Sequence, residues 1–198
     1  MASSAAVKVL GISGSLRKAS YNTAALRAAL ELIPEGLTLE IADIAEIPLY
    51  NDDVRLQGFP PSTQKLREQI GAADALLFAT PEYNYSFSGV LKNTVDWASR
   101  PPDPPIVGKP VAIMGAAQSL WGTMRAQYHL RQCCVFLNMF PLNKPQVLVG
   151  RAQEKFSSSL ELTDPKTQEL LRDLLAQLVE RARVLKEISH HQQILVMA

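Results

Sequence analysis

Residues 74–100, DALLFATPEYNYSFSGVLKNTVDWASR, decide the fold. They open with Ala75-Leu76-Leu77-Phe78-Ala79, a run too short for a helix and without polar alternation. Such a run reads as a strand buried on both faces, the middle of a parallel sheet. Pro81 must end its ladder, because proline has no N–H to give. A polar and aromatic loop follows, Glu82-Tyr83-Asn84-Tyr85-Ser86, and then an amphipathic helix is expected from near Ser88. There Val90, Leu91, Thr94, Val95 and Trp97-Ala98 recur at helical spacing, with Lys92 and Asp96 four apart on the wet side. Open α/β sheets bind ligands at the carboxyl ends of central strands, and this loop brings two tyrosines, an amide and a carboxylate to such an end. A polar loop with tucked-in aromatics has the same composition, so a second loop must carry the functional reading.

That second loop lies near the N-terminus. Val7-Lys8-Val9-Leu10-Gly11-Ile12 is rich in β-branched and aliphatic residues and is the first strand. Ser13 to Asn22 follow, and then a helix with Leu26, Ala29, Leu30 and Ile33 on one face, stopped by Pro34 and Gly36. Leu37-Thr38-Leu39-Glu40-Ile41 is the second strand. Residues 43–61 carry four prolines and glycines and no period, so an irregular loop is expected, of a length that is often functional. Ser62 is the expected cap of the next helix, which carries Leu66 and Ile70.

Beyond Arg100, Pro101-Pro102-Asp103-Pro104-Pro105 is expected to run extended as a stiff spacer. Val111-Ala112-Ile113-Met114-Gly115 is the fourth strand, followed by a loop and a helix with Met124, Tyr128, Leu130 and Arg131. Val135 to Leu142 is apolar and holds the fifth strand near Met139–Leu142, which Val147-Leu148-Val149 continues after Pro145. Asp164-Pro165 begins the last helix as cap and first-turn proline, with Leu171, Leu174, Leu175, Leu178, Ala182 and Leu185 as its stripe. Residues 190–198 carry no clear pattern. Strands alternating with crossover helices make a doubly wound parallel sheet of order 2-1-3-4-5 in one domain. Its switch point falls between strands one and three, where both singled-out loops end.

Composition sets the outer bounds. The 198 residues are 47% hydrophobic and 20% charged, with a net charge of about +1. That balance argues against nucleic acid or an anionic membrane surface as the main partner. The first six residues lack the basic and apolar regions of a signal peptide, and no 18 apolar residues run together, so the expected location is the cytoplasm. Cys133 and Cys134 are adjacent and are expected to be reduced, buried thiols in a helix, with a redox pair as the alternative. Three scattered histidines, His129, His190 and His191, suggest no metal site.

The first loop opens a helix, so its backbone N–H groups point at whatever sits above the helix N-terminus. Ser15 and Ser20 add hydroxyls, Asn22 an amide and Arg17 a fork-shaped cation suited to phosphate. The pattern is neither a dinucleotide fingerprint nor a nucleoside triphosphate loop, and hydroxyls with arginine suit a terminal phosphate monoester. Helix capping by Ser20 or Asn22 is the alternative use of those side chains. The loop after the third strand offers peptide groups and flat tyrosine rings, which suit a planar heteroaromatic ring with a polar edge. Phosphate at one end and a flat ring at the other describe a mononucleotide, and in this topology FMN leads.

Gly14 to Asn22, Thr80 to Ser86 and Gly89 to Trp97 together resemble the NADPH-dependent FMN reductases, nearest the bacterial chromate and quinone reductases. Ala126 to Arg131 and Asn143-Lys144-Pro145 extend the likeness over nearly the whole chain. The resemblance implies a flavodoxin-like fold. It implies FMN phosphate held by Ser15, Leu16, Arg17, Lys18, Ala19, Ser20, Tyr21 and Asn22. It implies the isoalloxazine held by Pro81, Glu82, Tyr83, Asn84 and Tyr85. After the fourth strand the family pattern Ser-x-Gly-x-x-Gly-Gly is replaced by Ala117-Gln118-Ser119-Leu120-Trp121-Gly122-Thr123, which keeps a backbone contact at Ala117 and narrows the open side of the flavin.

The expected activity is transfer of two electrons from NADPH or NADH, through FMN, to a quinone, azo compound, free flavin or metal oxyanion such as chromate. The cofactor carries that chemistry, so no side chain is assigned as a general acid or base. Arg125 and Tyr128, three apart on a helix, are candidates to meet substrate, nicotinamide phosphate or a partner subunit, or form a plain surface pair. A flavodoxin-type electron carrier and a non-catalytic nucleotide-binding module are the competing functions. Aromatics at Tyr85, Phe87 and Trp121 around one crevice predict a homodimer or homotetramer.

Overall fold

The computed structural model describes residues 6–197, and side chains as far as Ile188. In chain order the elements are β1 (Val7–Ser13), α1 (Tyr21–Glu31), β2 (Leu37–Ile41), α2 (Asp52–Leu56), α3 (Pro61–Ala72) and β3 (Ala75–Ala79). Then come β4 (Glu82–Tyr83), β5 (Ser86–Phe87), α4 (Gly89–Ala98), β6 (Pro110–Ala116) and α5 (Met124–Phe136). The chain continues through β7 (Phe140–Pro141), β8 (Val147–Val149), α6 (Ala152–Lys155) and α7 (Pro165–Met197).

The parallel sheet runs β2-β1-β3-β6-β7, and β8 pairs β6 further along. β7 and β8 are the two halves of the expected fifth strand, so the order is the flavodoxin-like 2-1-3-4-5. β3 sits at the centre with all its residues buried, as its unbroken apolar run requires. Its side chains alternate between two cores. Ala75, Leu77 and Ala79 face the core of α1 and α7, whereas Leu76 and Phe78 face that of α3, α4 and α5.

Several local expectations are corrected. Residues 43–61 hold the short helix α2, whose N-cap Asn51 accepts from Asp53 N. That segment is a belt along α4: Tyr50 N donates to Asn93 Oδ1 at 2.7 Å, and Trp97 Nε1 to Pro48 O at 2.8 Å. Ser62 does not cap α3. The helix starts at Pro61, whose missing N–H is no loss there, and Ser62 Oγ donates to Glu46 O at 2.9 Å instead. In α1 the buried face is alanine-rich (Ala24, Ala25, Leu26, Ala28, Ala29), while Leu30 and Ile33 are exposed.

Residues 101–105 are bent rather than extended. The buried Arg67 explains the bend: its guanidinium donates to the carbonyls of Trp97, Ala98, Arg100, Pro102 and Asp103, and it lies over the Phe59 ring. Five acceptors around one cation gather the loop. On the wet side of α4, Lys92 and Asp96 form the expected ion pair at 2.7 Å. Cys133 and Cys134 are free thiols on α5; Cys134 is buried as expected, whereas Cys133, one position round the helix, is only half-buried.

Candidate functional site

At the switch point the loop after β1 and the hairpin after β3 touch. Gly14 N donates to Ala79 O at 2.7 Å. A Cβ on Gly14 would lie 2.9 Å from Ser88 Oγ and 3.2 Å from Pro81 Cδ, so only glycine lets the two segments approach this closely. Between them opens a crevice of about 180 Å³, lined by Ser15, Arg17, Ser20, Tyr21, Asn22, Pro81, Glu82, Tyr83, Ala116, Ala117 and Gln118. Residues far apart in sequence converge there as the topology predicts.

The β1 side is built to meet an anion. Ser20 is the N-cap of α1 and accepts from Thr23 N at 3.3 Å, which leaves its hydroxyl proton free to donate. The first-turn N–H groups of Tyr21 and Asn22 have no acceptor among the described residues. Ser13 Oγ is braced by Thr23 Oγ1 at 2.8 Å and accepts from Ser15 N. Arg17 is exposed at the rim. Unpaired amides at a helix N-terminus, hydroxyls and a guanidinium make a donor-rich surface, the chemistry a phosphate requires. Leu16, Lys18 and Ala19 belong to the same loop but are exposed and outside the lining.

Asn22 departs from expectation. Its amide is buried and turned to the sheet, donating to Ala116 O at 3.0 Å and accepting from Ala116 N at 2.9 Å. It closes the end of β6 rather than aiming its side chain at an anion; its main-chain N–H stays at the crevice.

The expected loop 82–86 is a two-stranded hairpin, β4 with β5, turning at Asn84 and Tyr85 with φ of 50° and 65°. Both turn residues are left-handed, the pattern of the tight turns that match strand twist. Asn84 and Tyr85 lie at the exposed tip beyond the crevice lining. Glu82 lines the crevice, and its carboxylate accepts from Arg125 N at 2.9 Å and Ala126 N at 3.0 Å and pairs with Arg125 Nη1 at 3.3 Å. Arg125 in turn lies 4.1 Å from the Tyr85 ring centroid, so it is not a plain surface pair with the exposed Tyr128. His129 is exposed on α5, its Nδ1 3.1 Å from Ser86 Oγ.

The third wall is the loop between β6 and α5. Ala117 N donates to Val149 O at 2.9 Å, Ala152 N to Ala117 O at 3.0 Å and Arg151 N to Ser119 O at 2.9 Å. Gly122, at φ 61°, packs against the β8 backbone. These bonds tie the loop, without the family's serine and two of its glycines, to residues 149–152, and it holds Leu120 and Trp121 out, 59% and 60% exposed. Gln118 lines the crevice and went unnoticed in the sequence, because an isolated exposed glutamine carries no pattern. A larger hollow lies elsewhere: about 720 Å³ between α4 and α5, lined by Phe87, Val95, His129, Cys133, Phe136 and Leu137 among others. Its walls are mostly apolar and its cations are already engaged, Lys92 with the Asp96 carboxylate and Arg100 with Asp96 O and Ser99 Oγ, so the smaller polar crevice is the better ligand candidate.

Fold and crevice together define a doubly wound flavodoxin-like domain with a donor-lined cleft at its switch point. The family model for NADPH-dependent FMN reductases matches residues 7–154, and the chain belongs to that family. A Pseudomonas aeruginosa NAD(P)H-dependent FMN reductase is 60% identical over 169 residues, covering 85% of this chain and 91% of that one. A quinone reductase of Escherichia coli K12 is 42% identical, covering 83% and 85%. Among solved structures, the Paracoccus denitrificans flavoenzyme NAD(P)H:(acceptor) oxidoreductase superposes with TM-score 0.81 at 30% identity, over 89% of this chain and 97% of that one. The protein is an oxidoreductase of the FMN reductase and quinone reductase kind, with FMN and NAD(P)H as its cofactors. No helix among the described residues is long and apolar enough to cross a membrane. No group of three or more His, Cys, Asp or Glu that could hold a metal occurs among the described residues, and the His190 and His191 side chains lie outside them.

Proposed function

We propose that the chain works as one FMN-binding domain that reduces quinones at the expense of NAD(P)H, with azo compounds, free flavin and metal oxyanions such as chromate as further acceptors. The observation that carries this is the donor-rich surface at the start of α1 facing the hairpin after β3 across one crevice. Ser15, Arg17, Ser20 and the amides of Tyr21 and Asn22 would hold the phosphate. The hairpin backbone from Pro81 to Tyr85, with Ala117 and Gln118 opposite, would hold the ring. FMN, when bound, supplies the two-electron chemistry, and the protein supplies binding, orientation and electrostatics. Leu120 and Trp121, fixed by their loop, wall the open side where acceptor and nicotinamide would alternate. Tyr128 lies one helical turn from Arg125 and would border the same approach.

Among the described residues, Glu82 is the one carboxylate in the crevice lining, and it is already paired with Arg125 and hydrogen-bonded by the α5 amides. Negative charge developing on a reduced ring therefore meets little repulsion, by the reasoning that shifts pKa values near charges. That favours two-electron transfer over one-electron carriage. We further place the protein in the cytoplasm, where free thiols persist, as a homo-oligomer.

The test is anaerobic addition of NADPH to FMN-loaded protein, followed by a quinone. Bleaching of the flavin band straight to the two-electron-reduced spectrum, with recovery on adding quinone, is expected. Accumulation of a one-electron species together with negligible NADPH oxidation would instead identify a carrier.

A further inference from the structure

We propose that Glu82 is a positioning residue: it caps helix α5 from outside and thereby locks the ring-binding hairpin to that helix, a role that rests on the FMN reading above. α5 begins without a cap of its own. Thr123 makes no side-chain cap bond, and the first turn contains no acid. Yet this helix end is buried, with Thr123 and Ala126 both at 0% exposure. Buried first-turn N–H groups need acceptors from somewhere.

Glu82, 43 and 44 residues upstream, provides them. One oxygen takes the N–H groups of Arg125 and Ala126, and the other takes the Arg125 guanidinium. A carboxylate at a helix N-terminus also meets the favourable end of the helix dipole. Two more contacts follow along the hairpin: Arg125 over the Tyr85 ring at its tip, and His129 against Ser86 on its return strand. The tight turn at Asn84-Tyr85 fixes the hairpin's shape, so its remaining freedom is rotation about its ends at Pro81 and Ser88. Glu82 removes that freedom. It also balances Arg125, so the pair sets the local charge beside the crevice that Glu82 lines.

Removal of the carboxylate and removal of its partner should therefore have opposite electrostatic effects. Glu82→Gln keeps an acceptor for the α5 amides and leaves Arg125 uncompensated. Arg125→Ala leaves the carboxylate uncompensated.

The experiment compares the full chain with Glu82→Ala, Glu82→Gln and Arg125→Ala by amide hydrogen exchange without ligand, FMN and riboflavin binding, and the midpoint potential of the bound flavin. In Glu82→Ala, protection should be lost at the Arg125 and Ala126 amides. Its affinities for FMN and riboflavin should fall in parallel by about tenfold, since the defect lies at the ring end. Glu82→Gln should restore both protection and affinity, while its potential rises and that of Arg125→Ala falls. Wild-type protection and affinity in Glu82→Ala would overturn the proposal, as would potentials of Glu82→Gln and Arg125→Ala shifting in the same direction. If the wild-type protein binds neither flavin, the functional reading above fails, and amide exchange in Glu82→Ala still decides the clamp.

Discussion

Arg17 and Asn22 belong to one loop-to-helix junction and do opposite work. Arg17 is exposed and makes no side-chain bond among the described residues, so Arg17→Ala should leave folding unchanged. FMN binding should weaken by about 1.5–3 kcal/mol, the worth of a charge-assisted bond to phosphate. Riboflavin, lacking the phosphate, should bind both proteins equally; a parallel loss of both ligands would remove the phosphate assignment. Asn22→Ala should do the reverse. It strands a buried N–H and C=O of Ala116 and should lower unfolding free energy by about 2–4 kcal/mol, read as a lower urea midpoint at constant slope. The sequence disclosed both as polar groups at a helix start. It did not disclose the direction of the Asn22 amide, because that depends on β6, 94 residues away.

At the level of elements, legibility followed the length and purity of the pattern. β3 was readable because a strand buried on both faces needs an unbroken apolar run. The hairpin was not, because two-residue strands have no period and its turn lacks the usual glycine. α2 was hidden for a related reason: it buries no residue, so selection for an apolar face left no trace. The Ser62 cap failed because Pro61 already satisfies the geometric demand of a helix start. The Asp164 cap of α7 held: Thr167 N donates to its carboxylate at 2.8 Å. The Thr167 hydroxyl, then its N–H and Lys155, outweigh slight burial and keep the Asp164 carboxyl below its ordinary value of 3.8. A depressed folded pKa stabilises above the unfolded value and loses that contribution as pH falls through the folded one. The cap should therefore be fully effective above 3.8 and weaken below it. Asp164→Asn, which keeps an acceptor, should lose less stability than wild type between about pH 6 and about pH 3, in urea midpoints. An equal loss in both would show that this carboxylate does not contribute to acid sensitivity.

For the whole molecule, the sheet order fixed where the ligand crevice lies, and the exposed end of α5 offers a surface on which the proposed self-association can be tested. The sequence pointed to self-association through Tyr85, Phe87 and Trp121. In the structure Tyr85 is exposed under Arg125, Trp121 is exposed on its rigid loop, and Phe87 lines the 720 Å³ hollow between α4 and α5. A stronger signal was hidden in residues 135–142, read as leading into a strand. Val135 and Phe136 instead form the last turn of α5, 78% and 86% exposed. Phe136 lines the hollow, whose wall also carries Lys92, Asp96 and Arg100. An exposed apolar knob at the wall of a largely apolar hole suits a two-fold contact in which each copy fills the other. Burying Phe136 is worth about 1.5–3 kcal/mol, counted twice across a two-fold axis. Because Ser86 and Phe87 line the same hollow, that contact would bring the second copy against the ring-binding hairpin. Sedimentation velocity at micromolar concentration should therefore show a dimer or tetramer of 21.8 kDa chains. Phe136→Glu should shift the population to monomer while leaving the melting of the monomer itself unchanged, since the side chain is exposed there. A wild-type protein sedimenting at 21.8 kDa would remove self-association altogether. A Phe136→Glu protein that stays oligomeric would move the interface away from α5.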